Sequence, residues 1–252
     1  MNFMTIDNYW KQRATVRTFL DKEVPESLLV DLLDKASHAP TTGNMQLYSV
    51  VVTRDADRKQ LLSPAHFGQP SVTSASVVLT FCADYNRFVK WCEQRNAVPG
   101  YNNFQSFITA VLDTALFAQQ FNTVAEMAGL GCCYLGTTTY NAPQIAEILK
   151  LPKMVVPVTT LAVGYPANSA ETPGVGRLPV SGLIHNETYV DYTPESINDI
   201  YKEKEDRDDS RRFVKENGKQ TLAQVFTDVR YTKEACEHFS QIYRDFIISQ
   251  GF

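Results

Sequence analysis

Metal, hydrolase and nucleotide-triphosphate chemistry are the first things this sequence does without. Its four histidines show no HExxH spacing and its five cysteines no paired CxxC, so neither a catalytic nor a structural zinc has a ligand set. GxSxG is absent, which removes the usual serine-nucleophile turn. Gly218-Lys219 is followed by Gln220 and has no upstream glycine, so it is not a Walker A loop. GLGCCY (129–134) starts like a dinucleotide fingerprint but carries Tyr134 where the last glycine belongs, and it ends a helix instead of opening one. Long apolar runs are missing too. The stretch 75–83 is interrupted by Ser76 and Thr80 and falls well short of the ~20 residues that span a bilayer. The start, MNFMTIDNYWKQR, has no apolar signal-peptide core. A net charge of -4 argues against nucleic acid and anionic membranes as partners. Cys82, Cys92, Cys132, Cys133 and Cys236 are odd in number and lack framework spacing, which reads as reduced thiols of a cytoplasmic protein, mostly core filler. Adjacent Cys132 and Cys133 fall in a strand-like run and are expected on opposite faces.

What is present is ample apolar material, 44% of 252 residues, enough for one large domain or two small ones. Pro25 opens a helix in which Leu28, Leu29, Leu32, Leu33 and Ala36 recur at helical spacing, until Ala39-Pro40 stops it. Strands are expected at 48–53, 76–82, from Cys132, and at 155–163, with helices at 55–62 and 142–149. Residues 104–128 are apolar nearly all round, the pattern of a helix inside a core or at an obligate subunit interface. Residues 164–185 are proline-rich and read as a long irregular connection, of the kind that usually carries function. A helical tail starts at Thr193-Pro194-Glu195 and ends in a helix over 232–249. Short strands alternating with helices predict an α+β domain with a central mixed sheet flanked by helices. The expected organisation is a single domain over 1–252, with a core of 1–190 and a helical C-terminal extension of 191–252.

Five polar clusters fall on expected loops. Arg13-x-Thr15-x-Arg17 puts two guanidiniums on one side whether the backbone is helical or extended, and arginine pairs bind phosphate through forked, charge-assisted hydrogen bonds. Two arginines on a surface helix would show the same spacing. APTTGNMQ (39–46) offers hydroxyls and amides suited to the rim of a flat heterocycle, although an ordinary helix-to-strand turn uses the same residues. His66-Phe67-Gly68-Gln69-Pro70 adds another amide. Tyr134 to Thr139 contains Gly136, where a ligand can approach the main chain. Gly174 to Pro179 holds Arg177 in a glycine-flanked loop.

In this order the pieces resemble the nitroreductase family of FMN-dependent oxidoreductases, and within it the oxygen-insensitive NADPH nitroreductases and NADPH-flavin reductases. The likeness extends over nearly the whole chain: R-x-[ST]-x-R at 13–17, FCADYNR at 81–87, VAEMAGLGCCYLG at 124–136, GRLP at 176–179, HNETY at 185–189, and a closing helix running into SQGF. The resemblance implies a nitroreductase-like dimeric fold, with the 104–128 helix in the dimer core, and tightly bound FMN. Arg13, Ala14, Thr15 and Arg17 would hold its phosphate and ribityl chain, with Arg177 closing on the phosphate. Thr41, Asn44 and Gln46 would form a second FMN loop. Gln69 would contact the ring system, and the main chain at Leu135, Gly136 and Thr137 would face its reactive edge. No side chain need act as an obligatory acid or base. The implied activity is hydride transfer from NADPH or NADH through flavin N5 to nitroaromatics, quinones or free flavin, in ping-pong fashion.

Three departures accompany the likeness. Val175 stands where relatives carry a lysine. Thr137 replaces a glycine and would narrow the cavity above the flavin. The segment 202–216, six acids against six bases, replaces a basic NADPH-binding loop. There Arg207, Arg211 and Arg212 either grip a 2′-phosphate or neutralise their own helix faces. A non-catalytic flavin-binding protein and a flavin-free phosphate binder are the alternatives from other classes.

Overall fold

In the computed structural model, which describes residues 5–167 and 176–252, four strands form one sheet. They are β1 (Tyr48–Thr53), β2 (Val77–Asp84), β3 (Gly131–Leu135) and β4 (Val155–Gly164), in the order β1-β2-β4-β3. Around them in the same compact unit lie α1 (Ile6–Gln12), α2 (Glu26–Ser37), α3 (Ala56–Leu62), α4 (Pro70–Ser74), α5 (Asn86–Glu93), α6 (Phe104–Met127) and α7 (Ala142–Leu149). The α+β class holds, but the sheet is not mixed: every neighbouring pair is antiparallel. Alternating strands and helices imply parallel pairing only when a helix carries the chain back along the sheet. Here α3 and α4 stay at one end, so β2 leaves where β1 arrives, with Thr53 paired to Val78.

The strands follow their side chains. β2 is buried at all eight positions. Cys132 faces a cluster with Leu29, Leu32, Phe81, Phe117 and Phe121 under α2 and α6. Cys133 faces the opposite one, with Val16, Leu62, Val72, Leu135 and Ile145. A third cluster, at the end of the sheet where β1 and β4 begin, contains Leu47, Tyr85, Phe107, Val156, Phe246 and Ile247. Of the cysteines only Cys236 is exposed.

The chain forms two compact units, residues up to 173 with 239–252, and residues 174–238. The division therefore lies earlier than the expected 190/191, and the last fourteen residues return to the sheet-bearing unit. The reason is apolar: Phe246 and Ile247 complete the third cluster, and Met154 N–H donates to Gln250 O at 2.9 Å. The second unit contains α8 (Pro194–Asp206), α9 (Asp208–Glu216), α10 (Leu222–Val225) and the start of α11 (Lys233–Gln250). α8 opens with a reciprocal cap between Thr193 and Ser196.

Two polar devices in the first unit position loops. Asp113, buried on α6, accepts from Thr42 N–H at 2.9 Å and Leu47 N–H at 3.2 Å, which pins the loop before β1. That loop needs pinning, because Gly43, Asn44 and Gln46 all have left-handed φ angles. On the other edge, buried His66 and Thr137 share a hydrogen bond of 2.9 Å between Nδ1 and Oγ1. Burial pushes the His66 pKa down to about 4.

Asp113→Ala leaves two loop amides without an acceptor and is expected to destabilise the fold by about 2–4 kcal/mol, read from denaturant unfolding. Because His66 stays neutral when folded, the unfolded chain takes up its proton first as pH falls below 6.5. Stability is therefore expected to drop between pH 6.5 and about 4, by about 3 kcal/mol from this group. Urea midpoints measured across that range for the native protein and His66→Asn isolate the contribution, which the variant should lack.

Candidate functional site

Residues 13–20 cross the corner of the sheet where β3 begins and β4 ends. Val16 N–H donates to Cys132 O at 3.1 Å, Leu20 N–H to Tyr165 O at 2.8 Å, and Ala167 N–H to Thr18 O at 3.0 Å. The close approach depends on two glycines. A Cβ at Gly131 would sit 2.6 Å from Val16, and one at Gly164 would sit 2.9 Å from a Phe19 ring carbon. From Arg13 to Arg17 burial alternates from residue to residue, and Phe19 is buried after the exposed Thr18. Ala14, Val16 and Phe19 are buried, while Arg13 and Thr15 are half-buried and Arg17 is exposed. The three polar residues of the motif thus share the side away from the core, and none of them is on a helix.

The second cluster of this edge comes from two short turns. Pro64–His66 and Gly136–Thr138 are joined by the His66–Thr137 bond, and Asn141 Nδ2 donates to Ala65 O at 2.8 Å. Gln69 follows three residues after His66 as the cap of α4. The Thr137 hydroxyl is hydrogen-bonded to His66 and its side chain is buried. Gly136 is exposed, and a Cβ added there would meet nothing within 4 Å, so the main chain at this turn borders open space. Ala65, Val72, Leu135 and Val16 belong to one apolar cluster. A single patch of core therefore supports Arg13–Arg17, the Gln69 turn and the Leu135–Thr137 turn.

Thr41, Asn44 and Gln46 are elsewhere. Their loop precedes β1, the opposite edge strand, at the sheet end remote from residues 13–20. Three strand spacings, about 14 Å, separate the two edges. Gln46 Nε2 donates to Asn44 Oδ1 at 3.2 Å, and Arg87 holds the Gln46 carbonyl. Arg177 is exposed in the second unit, beside Gly176, at which a side chain would collide with the Arg207 guanidinium. Val175 lies outside the described residues. The tail arginines are paired with acids. Arg207 grips Asp209 through two bonds of 3.0 and 2.8 Å, Arg211 meets Asp206 at 2.8 Å, and Arg212 lies 3.7 Å from Glu216. This is the self-neutralising arrangement.

Several residues of interest went unremarked in the sequence. Phe67, exposed and held at a left-handed φ of 55°, lies 6.0 Å from Phe239 and 6.3 Å from Tyr140, which themselves stack at 4.5 Å. An exposed aromatic next to an open main-chain turn is suited to a flat ligand. Phe67 lies inside the His66–Pro70 cluster and Tyr140 directly follows Thr139, but Phe239 is far away in sequence and carried no signal. Glu126 is buried in the last turn of α6. It accepts from Tyr9 Oη at 2.8 Å and lies 3.6 Å from Arg13 Nε, beside a cleft of about 170 Å³. Burial raises its pKa, while the Tyr9 bond and the Arg13 charge pull it back. The Tyr9 phenol is pushed up to about 12 by burial and by the same carboxylate.

Known proteins resemble this chain in sequence and in fold. A Bacillus subtilis (strain 168) protein named FMN reductase (NADPH) is 32% identical over 188 residues, 73% of this chain and 74% of its own. Another from the same strain, named FMN reductase of the NAD(P)H type, is 27% identical over 245 residues, 94% of each. A crystal structure of a Bacteroides fragilis NCTC 9343 protein superposes with a TM-score of 0.94 at 55% identity, over 97% of this chain and 98% of that one. The model of the nitroreductase family matches residues 10–165, which take in the whole sheet and the Arg13–Arg17 corner, and the chain belongs to that family.

Proposed function

We propose that this protein is an FMN-dependent oxidoreductase that takes hydride from NAD(P)H and delivers reducing equivalents to an electron-poor acceptor, such as a nitroaromatic, a quinone or free flavin. The observation that carries this reading is the sheet corner. Arg13, Thr15 and Arg17 share the outward side of an extended segment fixed by main-chain bonds, a donor set suited to a phosphate monoester. On the same edge, the unobstructed main chain at Gly136 and the exposed Phe67 ring fit a planar ring system. Arg13, Ala14, Thr15 and Arg17 would hold the phosphate and ribityl chain, and Gln69 and the Leu135–Thr137 main chain would meet the ring. When bound, FMN supplies the hydride-accepting and hydride-donating centre. The polypeptide binds and orients; among the residues assigned to the ring there is no free acid or base in need of titration. The names of the Bacillus subtilis relatives, both FMN reductases, support the same cofactor. With one shared site, nicotinamide and acceptor bind in turn, which gives ping-pong kinetics.

Thr41, Asn44 and Gln46, at the far edge, cannot complete that site in the same copy. In our reading they serve the site of a second copy, in a homodimer built on α6. Support comes from the outer side of that helix, where Phe104, Leu112 and Leu116 remain 65%, 58% and 48% exposed, an apolar stripe that an obligate partner would cover.

Anaerobic stopped-flow mixing of the FMN-loaded protein with NADPH and NADH is expected to bleach the flavin rapidly with at least one of them. Oxidised flavin persisting for minutes with both would instead identify a binding protein, and failure to take up FMN at all would remove the reading. Arg17→Ala should weaken FMN about 10–100-fold, from the loss of one charge-assisted contact to the phosphate. Leu116→Arg should shift sedimentation from dimer to monomer and release the flavin in the same step; a folded monomer that keeps its flavin would overturn the shared-site reading.

A further inference from the structure

Glu126 stands where elementary electrostatics would not put it. It lies in the last turn of α6, at the negative end of the helix dipole, and is only 9% exposed, so both position and burial oppose its charge. Asn122, one turn earlier on the same face, is buried as well. Glutamine would satisfy the Tyr9 hydroxyl with less electrostatic conflict, so helix stability does not account for a carboxylate here. Its surroundings do. One carboxylate oxygen accepts from Tyr9 Oη at 2.8 Å and faces Arg13 Nε at 3.6 Å, while the other is buried with no hydrogen-bond partner among the described residues. The backbone of residues 16–20 is already fixed by its bonds to β3 and to the chain after β4. Arg13 itself, at the end of α1, retains a long side chain with several rotamers.

We propose that Glu126 is the positioning residue of the phosphate clamp: by engaging the Nε side of Arg13, it leaves the outer Nη edge of the guanidinium directed at the flavin phosphate. Tyr9 steadies the carboxylate from α1, so a helix end, a helix start and the sheet corner are tied at one point. Glu126 touches neither phosphate nor ring, and it acts through Arg13. This inference rests on the assignment of Arg13 to the FMN phosphate and deepens it.

Riboflavin, which has the ring and ribityl chain but no phosphate, separates the possibilities. Full-length protein freed of flavin is titrated with FMN and with riboflavin, followed by flavin fluorescence, for the native chain, Arg13→Ala, Glu126→Gln and Tyr9→Phe. Glu126→Gln is expected to weaken FMN roughly tenfold, the worth of one well-oriented charge-assisted bond, with riboflavin affinity and melting temperature unchanged. Tyr9→Phe should shift FMN affinity in the same direction by a smaller factor. Equal loss for both flavins, or no loss for either, in Glu126→Gln would overturn the positioning role. If Arg13→Ala discriminates between the flavins and Glu126→Gln does not, the positioning role alone fails. If the native protein or Arg13→Ala shows no phosphate-dependent difference, the clamp assignment itself fails and the inference falls with it.

Discussion

The close approach of residues 13–20 to the start of β3 and the end of β4 is the constraint on which the rest of the site depends. Gly131 and Gly164 leave room for Val16 and Phe19 to lie directly on the strands, and each buried side chain contributes about 1.5–3 kcal/mol of hydrophobic stabilisation. With Ala14 and Val16 seated inward, alternation over residues 13–17 turns Arg13, Thr15 and Arg17 the other way; the alternation breaks at the exposed Thr18, after which Phe19 is buried again. The placement of these three polar side chains thus follows from apolar packing on the other face of the segment. A bulkier residue at either glycine would lift the segment off the sheet and move every donor at once.

The same economy applies on both edges of the sheet. Cluster by cluster, polar segments are held by buried groups: Asp113 for the loop before β1, His66 for the turn after β3, Glu126 for Arg13. Two of these are ionisable groups whose burial shifts them toward neutrality, His66 downward and Glu126 upward. Such groups are costly unless hydrogen-bonded, and here each has a bond that also fixes a loop. The helix α6 supplies two of the three supports, one near its middle and one at its end, and thereby couples the two edges of the sheet.

Much of the secondary structure was legible in the sequence because its signals are local. β1, α7 and the long α6 follow apolar periodicity and caps, and β2 follows an apolar run interrupted within the strand only by Thr80 before its final Asp84; these need no tertiary information. The short helices α1, α4 and α5 were not read, although α3 and α7, of similar length, were. Antiparallel pairing was missed because the order of strands and helices does not record at which end of the sheet a connection stays. The return of the last fourteen residues to the first unit depends on Phe246 and Ile247 finding a third apolar cluster that no linear pattern reveals.

The amino-acid order alone determined the local vocabulary: which stretches are strands, which loops carry arginine, hydroxyl and amide, that Cys132 and Cys133 face opposite sides, and which family the arrangement resembles. Side-chain type and spacing suffice for these, because each depends on neighbours within a turn or two of chain. Tertiary structure decided which loops meet. It gathered Arg13–Arg17, the Gln69 turn and Gly136 on one edge, left Thr41–Gln46 on the other, turned the Thr137 hydroxyl inward to His66, and brought Glu126 to Arg13 across more than a hundred residues. Those outcomes depend on strand order and on the sharing of a common core, which are properties of the whole folded chain and are written in no single segment of it.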